Sequence, residues 1–182
     1  TRNLCLVALS AVGRAGWDQT SGGIVNAKAG VYDWSHPVNC WSSCLAWAGI
    51  AGALTHTEIA AFAAQLTAAV GTTGHVKVAR KVLWDQVAGK LGRDVWSANA
   101  DIPLGAMVFM GNDRTELAHV GIHVGSNLVV GACAPKPSPI VNALLAGNYS
   151  AFTTIQEIDQ IMQKAEWTYF TKDAFWKGWP DK

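Results

Sequence analysis

Long apolar runs are missing from this sequence. No stretch approaches the roughly eighteen uninterrupted apolar residues that a membrane-crossing helix needs, so no membrane insertion is expected. A surplus of either charge is missing too: fourteen Lys and Arg against thirteen Asp and Glu leave a net charge of +1. Nucleic acid and anionic surfaces are normally met by a clear basic excess, so neither is expected as a partner. Charge itself is scarce, at 15% of residues against 50% hydrophobic, which excludes a disordered chain. Cysteine is sparse, at positions 5, 40, 44 and 133. The gaps between these cysteines are not the paired two-residue gaps of a zinc site, and 182 residues bury enough core to need no disulfide staples. Reduced thiols are therefore expected. No acidic or cysteine ligand stands at useful spacing from the two central histidines, so no metal or other cofactor is expected. Nothing repeats and no linker divides the chain, which reads as one domain over residues 1–182. Thr1 to Leu9 lacks the long apolar core and small-residue cleavage site of a secretory signal, and reads as a first strand or helix.

What is present is a change of period halfway along. After a Gly-rich polar stretch, Pro37 keeps His36 out of the helical region and Asn39 is a good N-cap. A helix is predicted from Cys40 to about Leu54, its small residues suited to close packing from several sides. Thr55-His56-Thr57-Glu58 is a capping box for the next helix, whose Ile59, Phe62, Leu66 and Val70 recur at helical spacing. A third helix fits Val76 to Leu91. Short β-branched segments then follow: Val95 to Ser97, Gly105 to Met110, Ala118 to Val124 and Leu128 to Cys133, the last two as a hairpin. Thr154 to Ala165 is predicted as an amphipathic helix and Trp167 to Phe170 as a last strand. Helices followed by an antiparallel meander make an α+β pattern.

A thiol nucleophile needs its thiolate form, and the first turn of a helix favours it through exposed N–H groups and the helix dipole. Cys40 falls in such a first turn, whereas Cys44 lies one turn further in, where burial favours the neutral thiol. A base is best held on a rigid element facing that helix start. His119 and His123, four residues apart on one predicted strand, share a face. His119 is the candidate base because it opens the strand. Ordinary packing is the rival reading for each, since free cysteine is among the most buried residue types and a strand histidine is usually structural. His36 rivals His119 as the base, while His56 and His75 read as solvated residues at helix starts. Among nine tryptophans, Trp34, Trp41 and Trp47 bracket the two central cysteines and can wall a cleft. Tyr32, Trp34, Trp41 and His123 are the candidate substrate-binding residues.

Three segments resemble the NlpC/P60 family. Tyr32-x-Trp34 followed by Asn39-Cys40 at a helix start is similar to its aromatic loop and nucleophile segment. Ile102-Pro103-Leu104-Gly105-Ala106-Met107-Val108-Phe109 resembles its Pro-Gly-Asp-Leu-Val-Phe strand, and Ala118-His119-Val120-Gly121-Ile122-His123-Val124-Gly125 its base-carrying strand. The order of cysteine, helices and then histidine on a meander is shared with the wider papain-like superfamily, where Trp commonly follows the nucleophile as Trp41 does here. The resemblance covers about residues 30–134. Trp41-Ser42 replaces the family's Ser-Gly, and Gly131 stands where the family has a third polar residue that orients the imidazole. Asn127, Asn142 and Asp159 are the candidates for that role.

The resemblance implies a papain-like fold, with a central helix bearing Cys40 packed on an antiparallel sheet bearing His119. It implies a thiol hydrolase (peptidase or amidase) in which His119 takes the Cys40 proton and the thiolate attacks an amide carbonyl. The backbone N–H of Cys40 and the Tyr32 hydroxyl would stabilise the oxyanion. The family's substrate is the peptidoglycan stem peptide. A small chain without wall-binding repeats also fits a secreted or delivered bacterial effector or toxin, acting in a rival's envelope or in host cytoplasm and paired with an immunity protein. Deamidation of glutamine or asparagine in a host protein uses the same acyl-enzyme route. A non-catalytic interaction domain of the same fold is the remaining alternative.

Overall fold

The structure is a computed structural model of the 182-residue chain. It describes residues 1–12, 40–70, 81–82, 84–97, 99–111, 117–133, 152–157 and 167–178. Three helices come first: α1 (Arg2–Ser10), α2 (Cys40–Ile50) and α3 (His56–Val70). A π-helical turn at Trp84–Ala88 runs into the short α4 (Gly89–Leu91). The sheet follows as β1 (Arg93–Val95), β2 (Met107–Gly111), β3 (Leu117–Gly125), β4 (Leu128–Cys133), β5 (Phe152–Glu157) and β6 (Trp167–Thr171). Its spatial order is β1-β6-β2-β3-β4-β5, every pair antiparallel. The α+β class is thus what the sequence pattern predicts.

α2 is the centre. Every residue from Cys40 to Ala48 is buried, in keeping with a helix that carries no charge on any face. Its two buried serines need partners, and the Ser43 hydroxyl donates to the Cys40 carbonyl at 3.0 Å. The helix stops at Ile50, four residues short of the expected end. The cause is Gly52, whose positive φ of 70° bends the chain back: Gly52 N–H reaches the Gly49 carbonyl and Ala53 N–H the Ala48 carbonyl. These are the two bonds of a Schellman cap, and glycine takes that conformation without steric penalty. The capping box of α3 forms as predicted. Glu58 Oε2 accepts from the Thr55 N–H at 2.6 Å and from its hydroxyl at 2.8 Å, and Thr55 Oγ1 accepts from the Glu58 N–H.

The strand pleat sorts the sheet into two rows. Met107, Phe109, Val120, Ile122 and Val130 join one core with residues of α1, α2 and α3. Val108, Met110, Val129 and Phe170 face the other way, into a second cluster with Ile102 and Ala106. α2 packs on β3 and β4, and α1 on α2 and β3. β3 and β4 form the predicted hairpin; Ser126 and Asn127 both have positive φ, as a tight two-residue turn demands.

One expected element is replaced. The helix predicted to start at Thr154 is, over its described part, the strand β5, paired with β4 in the register Thr154↔Gly131 and Ile155↔Val130. Thr153, Thr154 and Ile155 are β-branched, and a ladder along β4 outweighs the helical spacing of the isoleucines. The remainder of that helix, and residues 76–80 of the third predicted helix, lie outside the described residues.

Replacing Thr55 with alanine removes one half of the capping box. T55A should lower unfolding free energy by about 1 kcal/mol, read from the midpoint of a urea titration at unchanged slope.

Candidate functional site

Cys40 is the first residue of α2 and is 5% exposed. The N–H groups of that first turn have no partners within the helix, and they make the site electropositive. Cys44 sits one turn deeper, fully buried, its Sγ donating to the Cys40 carbonyl at 3.3 Å. Burial, and then the charge that Cys40 would carry, push the Cys44 thiol far above its ordinary range. Cys44 is therefore a neutral packing thiol at physiological pH. Cys5 lies on α1 with its Sγ directed at the His123 carbonyl, 3.8 Å away, and burial raises its thiol as well. None of these three cysteines is in a disulfide.

His119 follows a bulge at the start of β3, where the pairing shifts from Gly111↔Leu117 to Met110↔His119. The side chain is half-buried. Its ring lies against the backbone of Gly131 on β4: a Cβ built there would sit 2.7 Å from Nε2 and 3.3 Å from Cε1. Glycine at 131 was expected to leave the imidazole without an orienting group. What it supplies is room for the ring to touch the chain, with the Nε2 edge turned toward β4.

The register also sets which way the imidazole faces. His119 stands directly opposite Met110 and shares its row, whereas Val120 and Ile122 occupy the row that meets α2. The simple expectation of an imidazole projecting from the α2-facing row is corrected by this alternation. Cys40 and His119 are carried on elements that pack together, α2 on β3, with the imidazole rooted in the sheet's other row.

Three further candidates change role. Trp41 is 1% exposed and packs its indole against Phe62 of α3, with ring centroids 6.2 Å apart; it is core and offers no face to a substrate. Its indole N–H is buried with no acceptor among the described residues. His123 is buried as well, its Nδ1 3.1 Å from the Pro103 carbonyl, so it anchors the turn before β2 and does not bind substrate. That bond fixes Nδ1 as the protonated nitrogen of the neutral ring. Asn127 fails as the third catalytic residue. It sits in the turn beyond the far end of β3, which runs about 20 Å from His119 to its end at Gly125, and its Oδ1 accepts from the Trp96 indole at 3.4 Å. His56 begins α3 and is exposed, as expected. Tyr32, Trp34, His36, Asn39, His75, Asn142 and Asp159 lie outside the described residues.

Among the described residues no group of three or more His, Cys, Asp or Glu side chains is placed to hold a metal ion. No described helix is long and apolar enough to cross a membrane. In comparisons with known proteins, no family model, no curated protein and no solved structure matches the chain.

Two measurements check this description. Iodoacetamide at neutral pH should leave Cys5 and Cys44 unmodified in the native protein and label both once urea unfolds it, as peptide mapping would show. His123 gives the second. Burial lowers its folded pKa, outweighing the opposing effects of the Pro103 carbonyl and of Asp101. The unfolded chain therefore binds the proton more readily, so this contribution is complete above about pH 6.5 and is lost as the pH falls through that value toward the lower folded one. Melting temperature should drop between about pH 7 and pH 5, and the slope should be shallower in H123Q.

Proposed function

We propose that this chain is a papain-like, cysteine-dependent amide hydrolase with Cys40 as nucleophile and His119 as base. The observation that carries the proposal is the placement of Cys40: a thiol opening an uncharged helix, buried from Cys40 to Ala48, that is seated on the strand bearing His119. A nucleophile on so rigid an element is held in position without help from a loop.

In this reading His119 takes the proton from Cys40 and the thiolate adds to the amide carbonyl carbon. The backbone N–H of Cys40 donates to the developing oxyanion. Collapse of the tetrahedral intermediate expels the amine, which His119 protonates as it leaves. Water, deprotonated by the same imidazole, then hydrolyses the thioester. The substrate is a peptidoglycan stem peptide, with the protein acting as a delivered bacterial effector and an immunity protein as its cognate partner. With a glutamine or asparagine side chain as substrate the same steps release ammonia, and the protein is a deamidase toxin.

A second reading, a non-catalytic interaction domain of the same architecture, is favoured by the row that His119 occupies. An imidazole rooted on the sheet face away from α2 is suited to packing against Gly131 whether or not a thiol is near.

Incubation with purified peptidoglycan and with glutamine-rich proteins, followed by mass spectrometry, separates these readings. The hydrolase releases muropeptide fragments, and the deamidase adds about one mass unit to a side chain, the difference between amide and acid. C40A should abolish either activity with its circular dichroism unchanged. H119A should lower it by about 10²- to 10⁴-fold, the usual worth of a positioned general base. Undiminished turnover in C40A, or no turnover of either substrate class by the unaltered protein, sinks the hydrolase.

A further inference from the structure

We propose that residues 96–104 form an acid-released strap across the outer face of the sheet, pinned by His123 and hinged at Gly105.

The sheet topology requires a crossing segment. β1 and β2 both run antiparallel to β6, which lies between them, so the chain joining them must pass over one face of the sheet. It passes over the face away from α2, where Ile102 shares a buried cluster with Val108, Met110, Val129 and Phe170, and Trp96 and Ala100 pack at its margin. Two side-chain bonds fasten the segment. The Trp96 indole N–H donates to Asn127 Oδ1 in the β3–β4 turn at 3.4 Å, and the His123 Nδ1–H donates to the Pro103 carbonyl at 3.1 Å. That carbonyl also accepts from the Ala106 N–H. From Gly105 onward the chain belongs to the sheet, with the Gly105 N–H donating to the His123 carbonyl and the His123 N–H to the Ala106 carbonyl. Gly105 has a φ of 77° and lies against the Trp176 ring, which a Cβ there would meet at 2.7 Å. The fixed and the liftable parts of the connection meet at this residue.

His123 is a pin that acid withdraws. The neutral ring gives its one proton to Pro103, and a second proton on Nε2 would place a charge in a site only 5% exposed. His123 is paired with Val129, in the row that the strap covers, so lifting residues 96–104 returns the ring to water. Among the described residues the titratable groups beside it are Asp101 and Cys5. Asp101, on the strap, favours the second proton, whereas Cys5 of α1 directs a neutral, buried thiol at the His123 carbonyl. Burial outweighs Asp101, so the closed strap binds the proton less readily than the open one. Closure is therefore fully favoured above about pH 6.5 and weakens as the pH falls through that value, the opening constant rising by up to about tenfold per pH unit. Met110, beneath the strap, stands opposite His119, so release also uncovers the sheet face that carries that imidazole.

Native-state hydrogen exchange between pH 7 and pH 5, with urea added below the unfolding transition, tests the strap. The Ala106 N–H and the Trp96 indole N–H should be less protected than the amides of α2. Their protection should depend only weakly on urea, because local opening exposes little surface. After division by intrinsic exchange rates it should fall by up to about tenfold per pH unit below about pH 6.5. In H123Q the fall with pH should vanish, and in W96F protection at Ala106 should drop at every pH with the slope kept. Protection and urea dependence at Ala106 equal to those of α2 overturn the strap, since it then opens only with the whole molecule. An unchanged pH dependence in H123Q overturns the pin, as does a His123 ring titration at or above about pH 6.5 in the unaltered protein. None of these readouts depends on turnover, so failure of the hydrolase leaves the strap to be judged separately.

Discussion

Burial of α2 is the constraint from which the rest of the molecule follows. A helix surrounded on every side can carry no charge, must satisfy its own hydroxyls, and needs neighbours on all faces. α1 and α3 supply some of these, and the row of Met107, Phe109, Val120, Ile122 and Val130 supplies another. Each large apolar side chain so buried is worth about 1.5–3 kcal/mol. Trp41, Leu45 and Trp47 are all within a percent of complete burial. Both ends of α2 are consequently fixed: Cys40 at the start by the depth of the helix, and the exit by the Schellman turn at Gly52, which leads within three residues to the cap of α3.

How far such a structure can be read from its sequence depends on which interactions are local. The capping box, the hairpin and the absence of charge in α2 are all short-range signals, and each is where the sequence places it. The early end of α2 was also local: Gly49 and Gly52 flank the stop, but the second of them matters only because the chain turns there. The strand at β5 was hidden because its isoleucines satisfy a helical period while its threonines satisfy a strand. Pairing with β4, an interaction with no trace in the segment itself, decided the outcome.

The facing of His119 was half visible. From Ala118 to Gly125 the chain alternates His, Gly, His with Val, Ile, Val, and the second set is plainly the more apolar. That row was the natural one to cover a buried helix, leaving the histidines on the opposite side. His123 then finds its partner in the Pro103 carbonyl, and the His119 ring lies against the backbone of Gly131. The partner of His123 is a backbone carbonyl, so a search for polar side chains at fixed spacing passes over it. Burial likewise separates residues that composition treats alike: Trp41 and His123 bear polar groups suited to substrate binding, and both are spent on the core.

The imidazole and its glycine belong to adjacent strands of one two-residue-turn hairpin, a dozen positions apart in the chain, whereas Cys40 precedes them by nearly eighty. Contacts so different in span mature on different clocks: hairpins close in about 1–10 μs, and long-range docking comes later because a larger loop must first be closed.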